Sequence, residues 1–279
     1  MNPWVGCTRV SSGCLNCYAD ALNHRWGKDL WGPGKERQRT SAAYWKQPLR
    51  WDKEAKVAGE RRRVFCASMA DVFDEEVPKT WLDDLWELIA ACPSLDWLIL
   101  TKRPQRFVEV FRPMMQPGGP ISAPDNVWLG VSVENQARAE ERIPYLFSVD
   151  ATVRFLSCEP LLGPLDLNYP IGLFPKGPQY CCSGLDEYGL QDCACAGQPI
   201  DPPLIYGISW IIAGGESGHG CRPMNINWAE DLKQQADAAK VPFFMKQMGG
   251  FPNKRESLND LPSELQVRDF PNLLEEEVV

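Results

Sequence analysis

The chain has 279 residues, enough for one large α/β domain or two small ones, and its 44% apolar content supplies a sizeable core. A formal net charge of −8 disfavours generalised electrostatic binding to nucleic acid, which draws on a basic surface, while leaving room for a local basic patch. No apolar run approaches the roughly 18 residues of a membrane span and no apolar stretch precedes Cys7, so a cytoplasmic protein with no signal peptide and no membrane contact is expected.

The chain opens on its most informative stretch. Cys7, Cys14 and Cys17 are spaced C-x6-C-x2-C, with Gly6 and Gly13 each directly before a cysteine so that the backbone can turn there. Three thiolates on one short loop suit a metal or an iron–sulfur cluster. A closed zinc site wants four protein ligands, whereas three leave one corner open for a substrate or cofactor. Clustered cysteines in a reducing compartment point to metal or redox chemistry more than to disulfides.

Tyr18 to Trp26 reads as a helix with Tyr18, Leu22 and Trp26 on one side. Residues 27–63 are polar, with an amphipathic piece near Tyr44–Trp51, and lead into a buried strand at Val64–Ser68. The chain then alternates. Helices are expected at Pro78–Cys92 (Thr80 as N-cap), Pro104–Met115, Asn135–Phe147 and Asn227–Ala239. Apolar strands are expected at Trp97–Thr101, Val127–Val133, Val153–Ser157, Ser209–Ala213 and Pro242–Lys246. Such alternation predicts a parallel sheet covered by helices, and the number of units favours a complete or partial barrel over a doubly wound sheet. No G-x-G-x-x-G or P-loop pattern follows any strand. Residues 164–207 show neither period and hold Cys181, Cys182, Cys193 and Cys195, which reads as an insertion stapled by its own metal, zinc or a second cluster, with disulfides as the alternative. The organisation is thus 1–163 as the first part of a barrel with the cysteine loop at 6–18, 164–207 as the insertion, 208–250 as the rest of the barrel, and 251–279 as a surface tail that wraps and frays.

In parallel α/β folds function gathers at the carboxyl ends of the strands. Those ends read Ser68-Met69-Ala70-Asp71, Thr101-Lys102-Arg103, Ser132-Val133-Glu134, Ser157-Cys158-Glu159, Gly214-Gly215-Glu216 and Lys246-Gln247. Gly214 and Gly215 would let backbone N–H groups approach a carboxylate or phosphate. Glu134, Glu159 and Glu216 could take an amine or ribose hydroxyls; Lys102, Arg103, Arg154 and Lys246 could take a carboxylate or phosphate. Cys158, Glu159 and Lys246 are the candidates for catalysis, with packing as the alternative for Cys158. Cys66 and Cys92 read as small buried apolar residues. With His24 and His219 the only histidines, a histidine-based metal site or a Ser-His-Asp triad has little material.

The opening Asn2-Pro-Trp-x-Gly-Cys7…Gly-Cys14-x-x-Cys17-Tyr-Ala resembles that of a phage- and prophage-associated group of radical S-adenosylmethionine-like proteins. The resemblance continues through Ser68-Met-Ala-Asp71, Thr101-Lys-Arg-Pro104, Trp128–Asn135, Arg154–Asp166, Gly214-Gly-Glu-Ser217 and Pro242–Gln247, and covers essentially residues 2–250 in order. It implies a partial (β/α)6-type barrel and a [4Fe–4S] cluster on Cys7, Cys14 and Cys17. S-adenosylmethionine would bind the open iron, and a 5′-deoxyadenosyl radical would abstract a substrate hydrogen. By the same resemblance Ser68, Met69 and Asp71 hold the place of a methionine-amino-binding loop, and Ser132 and Glu134 that of a ribose contact. A reductant protein of flavodoxin or ferredoxin type is the implied partner, and a rearrangement on a hypermodified thymine of phage DNA, or on a modified nucleotide, the implied reaction. The first cysteine gap is six where the superfamily commonly has three, and only six residues precede Cys7 where the superfamily has a strand. Two other readings compete: a non-catalytic zinc-stabilised protein that binds nucleic acid or protein, and a metal-dependent barrel hydrolase, which three thiolates and two histidines disfavour.

Overall fold

A computed structural model describes residues 1–168, 203–217, 220–250 and 257–272. Cys181, Cys182, Cys193, Cys195 and His219 lie outside the described residues, and so does the expected metal site of the insertion.

Six parallel strands form one sheet in chain order: β3 (Arg62–Cys66), β4 (Leu95–Thr101), β5 (Val127–Ser132), β6 (Val153–Cys158), β7 (Trp210–Gly214) and β8 (Phe243–Gln247). The sheet curls into a half-barrel, so the fold is a partial TIM-like barrel of mixed α/β class. Parallel strands need crossover connections, and helices α4 (Lys79–Ala90), α5 (Phe107–Phe111), α6 (Gln136–Phe147) and α7 (Ile226–Ala238) supply four of the five, the connection from β6 to β7 lying only partly within the described residues. No helix among the described residues is long and apolar enough to cross a membrane.

Both faces of the sheet are apolar because both are covered. Val64, Cys66, Trp97, Ile99, Leu129, Val131, Leu156, Cys158, Ala213 and Met245 belong to the large core shared with the helices. Leu98, Trp128, Val153, Phe155, Trp210 and Ile212 form a second cluster on the opposite, concave face. Gly130 on β5 makes that inner layer possible: a Cβ there would lie 2.4 Å from the Phe155 ring.

Several local expectations change. Pro78, not Thr80, stands at the N-cap of α4. The 104–115 helix is one short α-helix between two 3-10 turns, Pro104–Arg106 and Arg112–Met114. Helix α1 (Tyr18–Arg25) forms where expected, with Tyr18, Leu22 and Trp26 on one side; that side faces outward, Tyr18 and Trp26 being exposed while Ala19, Asp20 and Asn23 are buried. The described part of the tail does not simply wrap the surface. Residues 267–269 run beside β8, with Met245 N–H donating to Val267 O at 2.9 Å and Asp269 N–H to Phe243 O at 3.0 Å. Phe270 then sits 5.1 Å from the Trp210 ring, with the Arg63 guanidinium 3.8 Å from its own ring centroid. This closes the N-terminal end of the concave face with aromatic rings.

Candidate functional site

The cysteine loop lies across the C-terminal ends of the strands. A two-residue strand precedes it, β1 (Trp4–Val5), paired with β2 (Gln38–Arg39) rather than with the barrel. Gly6 then bridges Ala70, just beyond β3, its N–H donating to Met69 O at 3.1 Å. Its φ is +115°, and any Cβ there would lie 2.6 Å from Leu30 O, so the position requires glycine. Cys14 closes a 3-10 turn and Cys17 caps α1.

Three ion pairs formed outside the loop fasten it. Arg37 and Asp74, both fully buried, meet at 3.0 Å, and both reach Thr8: Arg37 Nη2 donates to its Oγ1 at 2.7 Å, and its N–H donates to Asp74 Oδ2 at 3.0 Å. Glu216 pairs with Arg222 and accepts from Asn16 Nδ2 at 2.9 Å, while Arg222 also donates to Ser12 O at 2.9 Å. Glu134 is fully buried beneath Gly13 and accepts from Arg142 Nη1 of α6 at 2.7 Å. Burial alone would raise the Glu134 pKa, but Arg142 and then Lys102 outweigh it and hold the carboxyl below its usual range. Burial would raise Glu216 too, and hydrogen bonds from Arg222 and Asn16 hold it low in the same way.

Under the loop lies a cavity of about 220 Å³ whose walls include all three loop cysteines and Ser68, Asp71, Lys102, Arg103, Ser132, Ser157, Glu159 and Lys246. Burial pushes the Cys7 thiol up to about 12, with Asp71 adding to the effect and Arg103 opposing it. Arg103 Nη1 is 3.6 Å from Cys7 Sγ, and its Nη2 donates to Thr8 O at 2.6 Å. Cys17 is also raised by burial. Across the cavity Glu159 Oε1 pairs with Lys246 Nζ at 3.2 Å, and its Oε2 accepts from Ser157 at 3.2 Å. Glu159 keeps Lys246 above the ordinary lysine range. Lys102 Nζ donates to Ser132 Oγ at 2.8 Å, and Tyr18 OH donates to Ser68 O at 2.7 Å. The open groups are therefore two ammoniums, a carboxylate and hydroxyls, an arrangement suited to a polar, partly anionic ligand.

Of the residues singled out in the sequence, Cys7, Cys14, Cys17, Ser68, Asp71, Lys102, Ser132, Glu159 and Lys246 share this cavity. Asp71 is a brace there. Its carboxylate accepts from Thr101 Oγ1 at 2.7 Å, Phe73 N–H at 3.0 Å, Lys102 N–H at 3.0 Å and Arg103 at 3.1 Å. Met69 is buried and gives its backbone to Gly6 and Asn2. Cys158 is fully buried in the helix-side core, one residue out of phase with Ser157 and Glu159, and burial raises its thiol pKa; packing is what it does. Arg154 is at the start of β6, donating to Val149 O at 3.0 Å and Asp150 at 3.1 Å, at the opposite end of the sheet. Gly214 and Gly215 are not an anion cradle. A Cβ on Gly214 would be 2.8 Å from Glu159 Oε1 and one on Gly215 2.1 Å from Gly249 N, and Gly215 N–H is committed to Gln247 O at 3.0 Å. Glu134 and Glu216 hold the loop from below and from the side. Arg37, Asp74, Arg142, Arg222 and Asn16 carry no sequence signal, because a buried ion-pair partner looks like any surface charge until the fold places it.

Among the described residues no group of three or more His, Cys, Asp or Glu is drawn together as a metal site. The donor set at the loop is nevertheless three thiols that line one cavity, soft ligands of the kind iron–sulfur clusters and zinc take. No curated protein and no solved structure matches this chain. One family model matches over residues 1–270, and the chain belongs to that family, described as "Protein of unknown function (DUF5131)".

Proposed function

We propose that this protein is a radical S-adenosylmethionine enzyme. The observation that carries the reading is that the three loop thiols and the polar ends of β3, β4, β5, β6 and β8 line one cavity. Cys7, Cys14 and Cys17 would hold a [4Fe–4S] cluster; when bound with S-adenosylmethionine, that group supplies one-electron cleavage and a 5′-deoxyadenosyl radical for hydrogen abstraction. The chain's own part is to bind and orient. Lys102 and Lys246 offer charge to a carboxylate or phosphate, Ser132 and Ser157 offer hydroxyls, and Glu159 offers an acceptor for an amine or ribose. Arg103, beside Cys7, favours the thiolate that ligation requires. The loop covers the cavity from above and the aromatic cluster lies below it.

The finer reading, a rearrangement on a hypermodified thymine of phage DNA, rests on the resemblance. Arg61, Arg62 and Arg106 are each ion-paired, to Asp96, to Glu54 and Glu60, and to Glu109, so a basic track for a DNA backbone adds no support.

Anaerobic reconstitution is expected to give a brown protein with about four iron per chain and dithionite-dependent 5′-deoxyadenosine. Cys14→Ala combined with Cys17→Ala is expected to remove the iron. Unchanged iron in that variant, or a colourless protein carrying only zinc, overturns the proposal.

A further inference from the structure

Helix α1 is amphipathic the wrong way round. Its inward side is Ala19, Asp20 and Asn23, all buried. Its outward side carries Leu15 from the preceding loop at 57% exposure, Tyr18 at 42%, Leu22 half-buried, and Trp26 at 52%. Residues 18, 22 and 26 recur every four positions, so they form one continuous stripe. Scattered exposed apolar residues are ordinary, but a contiguous stripe rimmed by charge marks an interface. Trp and Tyr are the residue types that most often carry interface energy. About half of each of Leu15, Tyr18 and Trp26 is left open to solvent.

The stripe borders an open groove of about 780 Å³. Cys17, the residue that caps α1, forms part of the groove wall, so a molecule seated there touches the cysteine loop. The groove's cations are Arg9, Arg25 and Lys246; Asp20, buried and paired with Arg9, is the one carboxylate among its described lining residues. Lys28 adds a further charge, its ammonium 5.8 Å from the Trp26 ring centroid. A locally cationic, apolar face on a chain of net charge −8 is the complement of an acidic partner.

We propose that the outward face of α1 docks an acidic, single-electron carrier protein against the cysteine loop. The choice of an electron carrier rests on the radical-enzyme reading; the apolar stripe and its cationic rim stand without it. The docked face would run from the groove beside Cys17 along the stripe to Trp26 at its far end, and would set Arg25 and Lys28 against carboxylates of the carrier, while steering at a distance would weaken with salt.

The test is a titration of oxidised flavodoxin with the full chain, read as flavin fluorescence anisotropy. This readout requires no iron and no turnover. Binding is expected at low ionic strength and is expected to weaken at high salt. Trp26→Glu and Arg25→Glu are each expected to weaken it by at least about tenfold. Lys56→Glu, on the exposed surface of the helix at Gln47–Ala58, is expected to leave it unchanged. In reconstituted protein both α1 variants are expected to keep dithionite-driven formation of 5′-deoxyadenosine while flavodoxin-driven formation falls by at least about tenfold. Variants that bind flavodoxin as tightly as the parent chain overturn the docking proposal. So does sedimentation showing a dimer of the parent chain that Trp26→Glu dissociates, since the occupant is then a second copy. Loss of dithionite-driven chemistry in the parent chain overturns the enzyme reading instead, while the anisotropy titration still decides the docking.

Discussion

The two ends of the same six strands are built on opposite plans. At the N-terminal ends, charges pair outward with their neighbours: Arg61 with Asp96, Arg62 with Glu54 and Glu60, Arg154 with Asp150. The concave face there is closed by rings, with Trp210 and Phe244 meeting edge-on at 6.0 Å and Phe270 across them. At the C-terminal ends the charges converge inward on a cavity, and a loop of three cysteines is fastened over it by buried ion pairs. Polar residues at strand ends are therefore not simply where solvent begins. One end spends its polar groups on local pairing and the other keeps them facing a shared space.

The sharpest way to break this contrast is to disturb the packing on which each end depends. Gly215→Ala puts a methyl 2.1 Å from Gly249 N, and backbone must move to admit it. Gly130→Val puts two more carbons into a space where one already lies 2.4 Å from Phe155. Each is expected to cost about 3 kcal/mol or more in urea unfolding, with Gly215→Ala the worse because a backbone cannot rotate away. Near-native stability of either variant would show that the close approaches are not structural.

Next in size is the loop's side anchor. Glu216→Ala removes the carboxylate that Asn16 and Arg222 share, leaving them only backbone carbonyls, and is expected to cost about 2–3 kcal/mol and to speed labelling of Cys14 and Cys17 by a thiol reagent. Because the folded Glu216 pKa is depressed, its contribution is present above the ordinary glutamate value of about 4.3 and is lost as pH falls through the lower folded value. Glu216→Gln is expected to flatten that part of the acid unfolding profile. Phe270→Ala tests the other end. Its ring is 42% exposed, so the cost is expected to be about 1–2 kcal/mol, with cysteine labelling unchanged. Faster labelling in Phe270→Ala would mean that the two ends are coupled.

The alternation of strands and helices, and the carboxyl ends where the cavity lies, are legible because apolar runs and helical periods survive in any single sequence. Lys102, Glu159 and Lys246 are found that way. Parity is not legible. In Val153–Cys158 both faces are apolar, since helices cover one and rings the other, so nothing in the run tells that Ser157 faces the cavity and Cys158 the helices. The inward side of α1 is hidden for a related reason. Its period is correct, but the buried side is set by Asp20 holding Arg9 of the cysteine loop, a contact with no periodic trace. Arg154 differs, because its place is readable: as the second residue of β6 it belongs to the strand's beginning, not to the ligand-facing end. The buried pairs Arg37–Asp74 and Glu134–Arg142 join residues 37 and 8 positions apart, and charge in a sequence does not announce its burial.

The smallest expected effect separates stability from ligand binding. Lys246 spans the cavity and the outer groove, and 57% of its side chain is exposed. Its bond to Glu159 behaves as a largely solvated pair, so Lys246→Met is expected to change unfolding free energy by less than about 1 kcal/mol. Glu159 raises the folded lysine pKa, so whatever the pair contributes is fully present below the ordinary value of about 10.4 and fades as pH rises through the higher folded value. The stabilities of parent and variant should therefore converge at strongly alkaline pH. A large loss of stability at neutral pH would make Lys246 a brace like Asp71. A small one leaves an ammonium that the fold hardly needs, held beside Glu159 and Tyr18 in a cavity roofed by cysteines, where its charge is free to serve the ligand binding proposed above.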